Sequence, residues 1–521
     1  MTTTIRSPAP LPRLAALTLA ATTLLAGCSL TPVYERPALP VAAQWPATAH
    51  APAGADHATA PAVAAADLPW QQFVHDERLR ELIAMALHGN RDLRVAVQAV
   101  AQARAQYQVR RADQAPTLNA GASATRSTPA PMAAFGGPEI SSNYGLSVGL
   151  ASWEIDFFGR VAALKDAALA QYLATNEARK AAQISVVAAV SQAWLALQTD
   201  TALLQLAERT LATREQSLQL IQMRVDHGVS SALDLRQAQS LAATARASRA
   251  QQQRLRAQDI HALTLLVGQA IPEHLLPPLP ATQPAAAPAD MTRPTPAPQA
   301  TAALTRFAEV PAGLPSDLLL RRPDIRQAEQ QLIAANANIG AARANFFPRI
   351  SLTASLGRVS GDLDGLLGSG GSRAWTFAPS LVLPLFDMGR NRAALEAAQA
   401  AREMAVAQYE KAIQTAFKEV ADALAARSAL ADQLGALEQQ AHAEQERFGL
   451  ADLRYRNGVA SYLDMLDAQR SLFATEQALA QARLAQRVNE VQLYKALGGG
   501  WHDAAAENPP GAASARPASG G

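Results

Sequence analysis

Two stretches constrain this chain more than anything else in it: Arg224–Gln239 (RVDHGVSSALDLRQAQ) and Arg454–Gln469 (RYRNGVASYLDMLDAQ) nearly repeat one another at a fixed offset of 230 residues. Gly228 falls on Gly458, Val229 on Val459, Ser231 on Ser461, Leu233 on Leu463, Asp234 on Asp464 and Gln239 on Gln469. Gly159-Arg160 meets Gly389-Arg390 at the same offset. Further upstream the offset is 232, with Asp92 on Asp324, Arg94 on Arg326 and Pro116 on Pro348. One supersecondary unit has been duplicated, so each copy must bury a face against another.

Within each copy the hydrophobic period changes twice. Trp70–Leu87 places Phe73, Leu79, Leu82, Ile83 and Leu87 at helical steps, Gly89-Asn90 breaks the pattern, and Asp92–Ala112 resumes it before Pro116. Four segments of about ten residues then alternate. Leu118, Ala120, Ala122 and Ala124 are spaced by small or polar residues, as are Leu146, Val148 and Leu150. The second copy does the same with Ile350, Leu352, Ala354 and Leu356, then Trp375, Phe377, Leu381 and Leu383. These fit two hairpins, 117–153 and 349–384, of membrane-spanning strands, which need about 9–11 residues each. Period 2 alone also suits soluble hairpins packed on a core.

Each hairpin feeds a long helix. Arg160 to about Asp226 and Asn391–Ala431 contain neither Pro nor Gly. The apolar positions Val186, Val190, Trp194, Leu197, Leu204, Leu211 and Leu218 lie near a heptad spacing. Turns at Gly228 and Gly458 reverse the chain, and Ala232–Leu266 and Tyr462–Leu497 return. A helix of the first length extends about 100 Å, far more than a membrane spans.

Four strands cannot close a barrel, and an open edge in lipid leaves backbone groups unpaired at several kcal/mol each. Copies must therefore pool their strands; three copies give twelve.

The N-terminus agrees with export. Residues 1–27 carry Arg6 and Arg13 before the apolar run Leu14–Ala26 and read as a signal segment. It ends in Leu25-Ala26-Gly27-Cys28, and Cys28 is the single cysteine of the chain, so no internal disulfide can form. Residues 28–69 read as a Pro/Ala-rich tether, 70–270 as the first repeat, 271–312 as a linker, 313–498 as the second repeat and 499–521 as a disordered tail. With 46 basic and 44 acidic residues the formal charge is +2, which gives no reason to invoke nucleic acid.

No enzymatic constellation is visible: the nine histidines are scattered and no HExxH, CxxC or phosphate-loop pattern occurs, so neither cofactor nor metal is expected. At the turns, Ser231-x-x-Asp234 and Ser461-x-x-Asp464 read as capping boxes. Asp464 and Asp467 are three apart and share a helix face.

Taken together, CSLTPVYERP at Cys28–Pro37, GLPSDLLLRRPDIRQAE at Gly313–Glu329, ANFFPRISLTASLG at Ala344–Gly357 and PLFDMGRNRA at Pro384–Ala393 resemble the bacterial outer-membrane efflux proteins, in the lipoprotein branch that serves resistance-nodulation-division (RND) pumps. The resemblance implies an α+β membrane protein. Its homotrimer would form a twelve-stranded transmembrane β-barrel, continuous with a periplasmic α-helical barrel and an equatorial domain. It implies passive conduction of drugs or other toxic compounds from an inner-membrane RND pump and a periplasmic adaptor; outlets for metal ions or secreted proteins share the fold. Leu25–Cys28 resembles the lipobox, which implies an acylated (palmitate-bearing) Cys28 in outer-membrane lipid, with Ser29 rather than Asp following. Asp464, Asp467 and Tyr455 are implied as the periplasmic gate, with carboxylate pKa values raised by ring neighbours. Gly228, Val229, Leu233, Gly458, Val459 and Leu463 are implied as adaptor contacts. Ala460 stands where some relatives carry a base, so Arg454 or Arg456 is the expected substitute.

Overall fold

The computed structural model describes residues 29–42, 45, 67–127, 140–278, 304–310, 320–368 and 370–501. The signal segment 1–27, Cys28, the first hairpin's tip, most of the linker and the tail beyond Trp501 lie outside the described residues. Helices α1 (Trp70–Phe73), α2 (Glu77–Gly89) and α3 (Arg91–Ala112) precede strands β1 (Leu118–Ser127) and β2 (Ser141–Ile155). Helices α4 (Arg160–Asp226) and α5 (Ala232–Val267) complete the first copy. The second runs through α6 (Pro323–Ala344), β3 (Arg349–Ser360), α7 (Leu363–Leu367), β4 (Ser372–Val382), α8 (Arg390–Arg456) and α9 (Tyr462–Ala496).

The chain divides into two compact units. The first takes in Met1–Ala38, Ala99–Asn176 and Gln327–Glu410, and holds one antiparallel sheet in the order β1-β2-β3-β4. Directly opposed residues share a face. One face therefore carries the rows Leu118–Leu150–Ala354–Phe377 and Ala120–Val148–Leu356–Trp375, while the other carries Asn119–Gly149–Ser355–Thr376. The expected alternation is thus sorted into an apolar and a small polar face. Nothing among the described residues covers the apolar one: Trp375 is 73% exposed and Leu356 66%.

A bulge interrupts β2 between Leu150 and Trp153, where Ser152 adopts φ 51° and donates its amide to Thr353 Oγ1 at 3.1 Å. The extra residue brings Trp153 opposite Leu352, back on the apolar face. Where β2 gives way to α4, Glu154 takes both guanidinium arms of Arg160 at 2.8 and 2.6 Å, and Arg349 approaches it at 3.4 Å.

The second unit takes in Leu39–Gln98, Glu177–Arg326 and Lys411–Gly521. The amphipathic stretch expected as one helix over Trp70–Leu87 is split in two. Asp76 accepts from the amides of Arg78 and Leu79, so its side chain competes with the helical ladder and starts a new helix there. Phe73 stacks on Tyr494 at 3.9 Å and on Phe307 at 4.9 Å, and Trp194 Nε1 donates to Thr305 Oγ1 at 3.1 Å. Phe307, Thr305 and Leu275 are all buried, so both described ends of the 271–312 segment are docked.

Helix α8 runs through Gly435 and Gly449 without a break. Each costs about 1 kcal/mol relative to alanine, too little to end a helix of this length. Helix α4 is long and apolar enough by length and composition to cross a membrane, but more than half of its most apolar window is buried within the protein. Between α4 and α5, Asp200 and Asp259 face one another; burial, then the charge of Asp200, pushes the Asp259 carboxyl up to about 7.

Candidate functional site

The second unit brings together the two turns at which each copy reverses. Both glycines are left-handed, Gly228 at φ 71° and Gly458 at φ 73°, with nothing within 4 Å of where a Cβ would stand. Glycine is needed for its backbone, not for space. The amides of Val229 and Ser230 reach back to the Arg224 carbonyl, and those of Val459 and Ala460 to the Arg454 carbonyl, so the duplicated sequences form duplicated loops.

Both capping boxes form. Ser231 Oγ accepts from the Asp234 amide at 3.1 Å while the Asp234 carboxylate returns to the Ser231 amide at 3.1 Å; Ser461 and Asp464 do the same at 3.2 and 3.1 Å. The Ser231 side chain, its amide and Ser230 hold the Asp234 carboxyl below its usual range. The carboxylate of Asp464 is turned onto its own helix start.

Asp467 has a different environment. It takes Arg447 Nη2 at 2.6 Å and Arg470 Nη2 at 3.2 Å. Within the chain these cations hold its carboxyl below the usual carboxylate range, Arg447 foremost, instead of the rise that like charges would cause. Two guanidinium groups are its nearest charges within one chain; the rise expected of a carboxylate ring concerns charges brought by other copies.

Tyr455 also finds a partner that the sequence reading did not name. Arg224 Nη1 donates to its hydroxyl at 2.9 Å, and the same guanidinium lies 5.9 Å from the ring centroid. Arg456, one of the two expected substitute bases, is bound to Asp452 one turn earlier at 3.1 Å. The Tyr455 ring lies 5.4 Å from that of Tyr462, against a cluster of Ile221, Ala238, Tyr462, Met465 and Leu466. Arg224, Arg447 and Arg470 were thus missed. Arg470 is readable as an i,i+3 partner of Asp467, and Arg447 by folding the chain back about Gly458; nothing local points from Arg224 to Tyr455.

Beside each loop lies a matched apolar pair. Val229 and Leu233 are 65% and 66% exposed, Val459 and Leu463 68% and 57%. Two sites on one chain thus present the same chemistry to solvent.

The family model described as outer membrane efflux protein matches residues 82–269 and again 314–499. The antibiotic efflux pump outer membrane protein ArpC and the toluene efflux pump outer membrane protein TtgC, both of Pseudomonas putida, are each 47% identical over 481 residues, spanning 92% of this chain and 94% of theirs. The crystal structure of the open state of the MtrE outer membrane channel of Neisseria gonorrhoeae superposes with a TM-score of 0.76 at 38% identity, over 91% of this chain and 99% of that one. With both of its repeats matched and nearly its whole length shared with such relatives, the chain belongs to the outer membrane efflux protein family.

Proposed function

We propose that three copies of this chain form the outer-membrane duct of a tripartite RND-type efflux system, conducting small toxic compounds passively to the exterior. The observation that carries this is the sheet. It has one continuous apolar face left bare and, among the described residues, two outer edges without a partner, on β1 and β4. Such a sheet is stable in hydrocarbon only when its edges close on other copies, with the small polar face turned to a water-filled lumen. Relatives named for toluene and antibiotic efflux support a cargo of small toxic molecules.

In this reading the signal segment 1–27 is removed, Cys28 is acylated, and the helices stand in the periplasm. Tyr455, Asp464 and Asp467 form the periplasmic gate. The exposed pairs Val229/Leu233 and Val459/Leu463, set by Gly228 and Gly458, receive the hairpin of a periplasmic adaptor, which links the duct to the inner-membrane pump. Matched chemistry at both tips supports two equivalent adaptor contacts per chain.

The test is native mass and conductance of the detergent-purified chain. A mass of three copies and discrete single-channel steps in planar bilayers are expected. A monomer that gives no steps would sink the reading.

A further inference from the structure

Residues 30–36 lie along helix α6 in one line, within the first unit. Arg343 Nη1 donates to the Leu30 carbonyl at 3.3 Å, and Asn336 Nδ2 to the Pro32 carbonyl at 2.8 Å. Glu329 Oε1 accepts from Tyr34 Oη at 3.2 Å and from Arg36 Nε at 2.7 Å. Between these contacts Thr31 occupies the space above Gly340: a Cβ built there would meet Thr31 Oγ1 and stand 2.8 Å from its Cα. Glu329, Asn336, Gly340 and Arg343 are separated by seven, four and three residues, the spacing of a single helical stripe. Numbers rise along the segment as they fall along the helix, so the two run antiparallel.

Two observations separate this from ordinary packing. Glycine inside a helix is a weak helix former, and here it supplies a notch that even alanine would fill. The seat is also written once although the helix was copied. At the 232-residue offset, α3 carries Gln108 opposite Gly340, Val97 opposite Glu329 and Arg104 opposite Asn336; of the four seat positions Arg343 alone recurs, as Arg111. A feature needed to pack every copy would appear in both; one seat fits a ligand present once per chain, its own N-terminal segment. Burial and the Glu329 carboxylate also push the Tyr34 phenol up to about 12, which keeps its hydroxyl a donor across the physiological range.

We propose that this stripe of α6 is a dedicated seat for the Leu30–Arg36 strap, and that the seated strap sets the register at which the lipid on Cys28 meets the strand end of the same unit. The inference rests on the reading of Cys28 as acylated. Leu30 is held by Arg343 in the last turn of α6, six residues before β3 begins at Arg349. Only two peptide links separate Leu30 from Cys28. A free tether would let the anchor enter the membrane anywhere within the reach of a flexible chain. A strapped one delivers it beside the strands that must insert, raising their effective concentration at the bilayer.

The test compares acylated chain with a Cys28→Ala chain exported on an ordinary signal peptide. Gly340→Leu fills the notch; Tyr34→Phe with Arg36→Ala weakens the strap without touching α6. Amide exchange of residues 30–36 reports release, and the fraction of protease-resistant, membrane-inserted chain reports assembly. Both variants should release the strap and lower that fraction severalfold in the acylated chain, with less than a twofold change in the Cys28→Ala chain. Unchanged insertion of the released acylated chain would overturn the proposal, as would an equal loss in both backgrounds. An N-terminal peptide without acyl mass would overturn it together with the lipoprotein reading, which the first two results leave standing.

Discussion

Arg224, near the end of the first long helix, donates a 2.9 Å hydrogen bond to the hydroxyl of Tyr455, near the end of the second. At the 230-residue offset the counterpart of Arg224 is Arg454 and that of Tyr455 is Val225, so the bond joins positions that are not copies of each other. It closes once per chain, and the two loops are not equivalent with respect to it.

Because the acceptor is a phenol, the clasp is a charge-assisted hydrogen bond and not an ion pair. Such bonds contribute about 1.5–3 kcal/mol when well desolvated, and less at a half-exposed tip. Tyr455→Phe keeps the ring and its contact with the guanidinium but loses the bond. It should raise the open probability of the reconstituted channel by up to about tenfold, the equivalent of ~1.4 kcal/mol. Arg224→Ala should exceed it. Bilayer recordings that show wild-type closure for both would refute a latching role.

Asp467 stands between Arg447 and Arg470. Asp467→Ala removes one negative charge beside Arg470 and Arg447, the latter still paired with Glu444 at 3.1 Å, and should shift ion selectivity toward anions, whereas Asp464→Ala removes a cap and should act mainly on helix stability, by about 1 kcal/mol. Reversal potentials in a salt gradient measure the difference. An Asp467→Ala channel with the wild-type reversal potential would remove this residue from the conduction path.

The Asp200–Asp259 pair gives the second unit a pH dependence of definite sign. The folded value of Asp259, about 7, lies above the ordinary carboxylate value, so the folded state binds more protons between roughly pH 4 and 7. Stability is gained below the ordinary value and lost as pH rises through 7. Melting should be higher at pH 6 than at pH 8, by on the order of 1 kcal/mol given the partial exposure of both groups. Asp259→Asn should flatten that slope; a slope unchanged in the variant would reassign it to other groups.

Gly228 and Gly458 share a left-handed backbone and empty surroundings. Alanine at either should cost about 1–2 kcal/mol of conformational strain, and nearly the same at both. Thermal unfolding of the single variants checks this. A much larger loss at one would mean that its missing Cβ leaves room for a neighbour.

Much of this architecture was readable in advance because it is written in periods. Strands whose faces differ must alternate, and a helix without Pro or Gly can run unbroken, so the alternating cores of β1–β4 and the first reach of α4 and α8 were visible, but not the bulge that carries β2 on to Ile155. The loops were visible because a left-handed turn needs glycine, twice. Contacts between elements leave no such mark. Arg224 and Tyr455 are 231 residues apart and belong to different repeats, and Asp200 and Asp259 meet only once α4 and α5 are folded against each other. The seat at Gly340 left one trace, a glycine in a helix whose copy has none. The split at Asp76 was hidden because a capping aspartate and a solvent-facing one look alike until the chain bends.

An insertion of one residue in a strand with unlike faces would ordinarily turn everything beyond it inside out. The offset between the repeats falls from 232 to 230 across the hairpins, so the first hairpin carries two residues more than the second. One is accounted for by the bulge between Leu150 and Trp153, which swallows the odd step and returns Trp153 to the side it would have left. The bulge thus works as a frame correction, through which two gene halves could drift in length while each still offered its oily side to the same solvent.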